Sequence, residues 1–126
     1  MVSVGTWLVI DAVLDNLISN EVQSGNGDQE VIARAQSLRN RGWELAAVHP
    51  LRGQGPAGWP PRDAPFGIEL DEANLTFIRA EVDAAVVSTT RILSSEELHT
   101  QIRGEQELSL ALLEGARAEL AQVAHS

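Results

Sequence analysis

The chain contains no cysteine, no tyrosine and no lysine, and only one methionine and two phenylalanines. Without cysteine it can form no disulfide, thiolate metal site or cysteine nucleophile. Without tyrosine, acid–base chemistry at neutral pH rests on three histidines and the carboxylates. Without lysine, nine arginines spread from Arg34 to Arg117 carry all the basic charge against eighteen acids, giving a formal charge of −9. A phosphate backbone is repelled by such a chain unless its cations cluster, so nucleic acid is not an expected partner. Arginine without lysine, beside abundant alanine and glycine, reads as GC-rich coding.

Long uninterrupted hydrophobic runs are also missing. The opening MVSVGTWLVIDAVLDNL has no basic flank and is broken by Asp11 and Asp15, which argues against a signal peptide or a membrane span. A cytoplasmic location is the simplest expectation. Gly-x-Ser-x-Gly, phosphate-loop and Gly-x-Gly-x-x-Gly patterns do not occur, and GQGPAG at 53–58 lacks the lysine and following helix of a phosphate cradle. No cofactor is expected.

Proline is confined to one place. All five prolines fall between His49 and Gly67, with four of the ten glycines and Trp59. Fixed φ, missing N–H donors and glycine entropy keep helix and interior strand out of this stretch, so a loop over 49–67 divides the chain. Loops of this length are commonly binding segments, lids or linkers.

The flanks are patterned. Thr6 is positioned to cap a helix over 6–23 that gathers Trp7, Ile10, Val13, Leu14, Leu17 and Ile18 on one side. SGNG at 24–27 reads as a turn, and Asp28 caps a second helix over 28–41, with Gly42 as its C-terminal stop and Arg39 and Arg41 in its last turn. Residues 43–48 then suggest a short strand, pairing with Trp7–Ile10 or with Phe66–Leu70, and Trp43, lying like Trp7 in a patterned segment, reads most simply as core. Asp71 caps a helix over 71–93 with Leu75, Ile78, Val82, Ala85, Val86, Ile92 and Leu93 on its apolar face. Ser94 followed by Glu97 fits a capping box for a last helix over 95–124, whose stripe is Leu98, Ile102, Leu112, Leu113, Ala116, Leu120 and Val123. Ile102, Ser109, Ala116 and Val123 recur by sevens, a spacing that suits a homodimer seam or packing within the chain.

The expected fold is therefore a mostly α, small helical domain spanning 1–126, with a long Pro/Gly loop and one short strand pairing, α+β being the alternative. At 44% hydrophobic content, 126 residues suffice for one core.

Candidate sites are few. Glu96 and His99 have the Glu-x-x-His spacing of di-iron bundles, yet both project away from the apolar stripe, so no metal is expected. His125 lies at the C-terminus. In and beside the loop, His49, Arg52, Arg62 and Asp63 would combine a base, a carboxylate and anion-binding guanidiniums if it folded over them. Trp59 before Pro60 and Pro61 offers a stiff aromatic contact, either to a partner or to its own domain.

Catalytic groups are scarce while amphipathic helices are long. The sequence points first to a non-enzymatic interaction or assembly protein, with a protein partner or itself, as in a larger complex or a phage particle. A small enzyme or small-molecule binder using His49, Arg52, Arg62 and Asp63, and an acidic inhibitor of a basic partner, are the alternatives.

Overall fold

The computed structural model describes residues 2–25, 27–95, 97 and 99–123. In chain order they form β1 (Val2–Ser3), α1 (Val4–Gln23), α2 (Gln29–Ala47), a 3₁₀ turn (Pro56–Gly58), β2 (Pro65–Phe66), α3 (Glu72–Leu93) and α4 (Thr100–Val123). The protein is mostly helical with one short antiparallel strand pair, as the patterning implies. The chain divides into two compact units, Met1–Leu70 and Asp71–Ser126.

In the first unit, α1 begins at Val4 because Ser3, and not Thr6, is its cap: Ser3 Oγ accepts from the Thr6 N–H at 3.2 Å. The other free N–H groups of that first turn are met by the far end of the loop. Val4 donates to Ala64 O at 2.9 Å and Gly5 to Arg62 O at 2.8 Å, so the loop supplies what the helix end lacks. The same approach aligns β1 with β2, pairing Val2 with Phe66 and Ser3 with Pro65.

Helix α1 buries Val4, Trp7, Ile10 and Leu14 against the helix that follows. Asp28 caps α2, accepting from Glu30 N at 2.9 Å and Val31 N at 3.3 Å. Within the turn before it, Asn26 lies outside the described residues.

The expected stop at Gly42 and strand at 43–48 are not formed. Instead α2 runs through Gly42 to Ala47. Gly42 has a different task, since a Cβ there would overlap the indole of Trp7. Trp7 is fully buried, and its ring is seated where α2 has no side chain. With residues 43–47 helical, the strand partner of β2 is β1.

The loop is held by irregular hydrogen bonds. Gly53 N donates to Gly58 O at 2.9 Å, Gly55 N to Trp59 O at 2.6 Å and Trp59 N to Pro56 O at 2.9 Å. Pro60 is buried.

The second unit is an antiparallel helix pair. Asp71 caps α3 as expected, accepting from Asn74 N at 2.7 Å. Ile78, Val82, Val86 and Thr89 of α3 are buried, as are Leu113, Ala116 and Leu120 of α4. Ser94 does not open the last helix. It closes α3, its hydroxyl donating to Arg91 O at 2.7 Å, and α4 starts at Thr100. Arg103 reaches back across the connection, donating to Leu93 O and Ser95 O, each at 2.8 Å. Glu96 and Leu98 lie outside the described residues, as do Ala124 and His125. Ile102 and Leu112, expected on the buried stripe, are each 45% exposed.

Candidate functional site

The last turns of α2 present Trp43, Ala46 and Ala47, and the loop folds back opposite them with Arg52, Gly53, Ala57, Gly58 and Trp59. Together they line a cleft of about 430 Å³. Its width follows from the sequence: alanine and glycine line both sides between the larger groups. Its curvature demands unusual backbone. Ala57 has φ 53° and ψ 30°, in the left-handed region that a Cβ disfavours, and Gly58 and Gly53 follow suit at φ 85° and 82°.

Each indole wall is braced from behind. Trp59 is half-buried, 6.2 Å between ring centroids from Phe66, which lies 5.9 Å from Trp7. Trp43 remains 40% exposed, with the Arg39 guanidinium carbon 4.7 Å from its ring centroid, a cation–π distance. Arg39 is fixed by α1: its Nε meets Asp11 Oδ1 at 3.0 Å, its Nη2 meets Asp11 Oδ2 at 3.4 Å and its Nη1 meets Asp15 Oδ1 at 2.9 Å. Burial alone disfavours the cation. The hydrogen bonds and charges of Asp11 and Asp15 outweigh it and hold Arg39 above the ordinary guanidinium range. A raised affinity for a proton already bound at neutral pH contributes fully there and is lost only in strong alkali. The pair predicted to face the α2 dipole thus does other work, with Arg41 donating to Glu69 O at 2.9 Å.

Arg52 is the cleft's charged group. It is exposed, and its Nη1 donates to His49 O at 3.3 Å; its remaining guanidinium N–H groups make no hydrogen bond among the described residues. His49 is not part of the lining. Its Nδ1 accepts from Leu51 N at 3.0 Å while Nε2 lies 2.9 Å from Pro65 O, so the Nε2–H tautomer donates and both ring nitrogens are engaged. His49 therefore ties the start of the loop to β2. Arg62 and Asp63 are exposed and lie outside the cleft, Arg62 contributing its carbonyl to the start of α1.

Of the five residues singled out in the sequence, the structure brings Arg52 and Trp59 together and adds Trp43, which the sequence pattern assigns to the core. The signal for Trp43 was its spacing of four from Arg39, a helical neighbour relation visible only if the helix continues through Gly42. Chemically the cleft offers aromatic faces and a guanidinium, with no nucleophile, carboxylate or imidazole among its described lining residues.

A second, polar hollow of about 500 Å³ lies along α2 beside Gln36, Asn40 and Glu44. Gln36 and Asn40 satisfy each other there at 2.9 Å. Among the described residues no three His, Asp or Glu side chains gather at one point. His99 sits at the start of α4, its Nδ1 accepting from Gln101 N at 3.3 Å. No helix among the described residues is long and apolar enough to cross a membrane. Comparison with protein families, curated proteins and solved structures finds no match for this chain.

Proposed function

We propose that this protein is a non-enzymatic interaction or assembly protein, acting through its amphipathic helices and its Trp-bearing loop within a larger complex or a phage particle. The observation that carries the reading is on α4. Leu108 and Leu112 stand one turn apart on the helix surface and are 64% and 45% exposed. Large apolar side chains side by side in water mark a contact surface more than an isolated one does. For the sevenfold series the 2% exposure of Ala116 supports packing within the chain. Self-association would use Leu108 and Leu112 instead.

Sedimentation velocity over a hundredfold range of concentration tests this, with wild type beside Leu108→Glu/Leu112→Glu. The expected result is concentration-dependent association of the wild type that the double variant loses while its melting temperature stays within a degree or two. A single monomeric species throughout would remove self-assembly and leave a heterologous partner. The acidic-inhibitor reading draws support from Asp71–Ser126, which carries ten acids against four arginines. Salt-sensitive binding to a basic partner separates it from apolar assembly.

A further inference from the structure

We infer that the cleft between the end of α2 and the loop binds a small planar aromatic anion, of the class of one- or two-ring aromatic carboxylates. This goes beyond the interaction reading and stands independently of it. Four observations converge on it. The volume of about 430 Å³ falls within the range of roughly 300–1,000 Å³ typical of small-ligand sites. Two indoles, Trp43 and Trp59, stand in the lining with small residues between them, which suits a flat apolar body.

The third observation is charge. In a chain with eighteen acids, no acid among the described residues lines the cleft, and the ionic group among its described lining residues is Arg52. With Nη1 tethered to the His49 carbonyl, Arg52 is partly preorganised and keeps further N–H donors for a carboxylate. A cationic ligand would meet that guanidinium unfavourably, and a polyphosphate would find only one countercharge.

The fourth is backbone. Ala57 is the one described non-glycine residue with positive φ, at 53°. Holding a residue with a Cβ there costs on the order of 1 kcal/mol, and such strain concentrates at ligand-clamping segments. The strained residue lies in the cleft wall. Lacking any general base or nucleophile, the site holds its ligand without transforming it.

The three tryptophans provide the assay. Indole N–H resonances of the full chain are followed by ¹H–¹⁵N NMR during titration with 2-naphthoate, and separately with uncharged 2-naphthamide. Saturable shifts at Trp43 and Trp59, with Trp7 unmoved, are expected for naphthoate, and binding of the amide about tenfold weaker. Arg52→Gln should bring naphthoate down to the level of the amide without changing the melting temperature. Ala47→Phe, which fills the cleft from the α2 side, should abolish both responses. Shifts that never saturate, equal affinity for the two probes, or an Arg52→Gln protein that still prefers naphthoate would each overturn the assignment. So would saturable binding of an uncharged apolar peptide with no response to naphthoate, which would make the cleft a peptide groove.

Discussion

A hydrogen at Cα of Gly42, where every other residue of α2 has a side chain, decides how α1 meets α2. Taken alone, a glycine inside a helix is a liability of about 1 kcal/mol against alanine. Sequence reasoning turns that liability into a helix end, and the error propagates: the strand at 43–48 and the core placement of Trp43 both depend on it. What the sequence could not convey is that Trp7, a distant residue, needs the space. Gly42→Ala is therefore a sharp test, because propensity and packing pull in opposite directions. The methyl overlaps a buried ring with no room to move, and overpacking of this kind costs roughly 1–3 kcal/mol or more. Packing should win. Urea unfolding is expected to give a net loss of about 2 kcal/mol, and a stabilised variant would mean that the two helices do not approach as closely as described. That Arg52 and Trp59 lie near each other was legible because they share one loop. The contacts of His49 were not, since its ring partners are its near neighbour Leu51 and the distant Pro65, which only the folded loop brings together.

At the scale of elements, periodicity located the helices well and their ends less well. The caps at Asp28 and Asp71 were readable because an aspartate before an amphipathic run has one economical use. Ser94 was misread, since serine serves at either end of a helix, and Arg103 reaching back to Leu93 O supplies the closure that no short motif announces. Phase within α4 was also blurred: Leu112 and Leu113 are adjacent leucines, and a wheel cannot say which of two neighbours faces the partner helix. Structure separates them, Leu113 being 6% exposed and Leu112 45%, with Leu120 deeper still at 1%. Leu120→Asp should thus bury an unpaired carboxylate and destabilise by several kcal/mol, on the order of 3 or more. Leu112→Asp should change stability by about 0.5 kcal/mol at most. Thermal melts in which the two substitutions cost the same would show that α4 is rotated from the orientation found here.

For the whole molecule, the mostly helical class and the dividing loop follow from where proline is and is not, yet the loop's role does not. Its composition suggests a tether, whereas its carbonyls at 62 and 64 cap α1, its end at Phe66 pairs with Val2, and Trp59 rests beside Phe66. The capping carbonyls and the strand pair are contacts of high sequence separation, invisible to local pattern, and with the Trp59 contact they complete the unit Met1–Leu70. The aromatic series Trp7, Phe66 and Trp59, the strand pair and both helices of its core belong to that unit alone. Asp71–Ser126 is built differently, as two helices that bury one stripe each, a form that is marginal in isolation. Expressed separately, residues 1–70 should melt cooperatively with a stability of about 3 kcal/mol, near the ceiling for a core of that size without staples. Residues 71–126 should have reduced helicity and a broad transition. Circular dichroism of the two fragments decides the matter: a first fragment with no cooperative melt would mean that the loop's caps and aromatic contacts do not suffice to close a core. Its tryptophan emission adds a direct check, because a folded fragment must keep Trp7 out of water while leaving Trp43 partly in it.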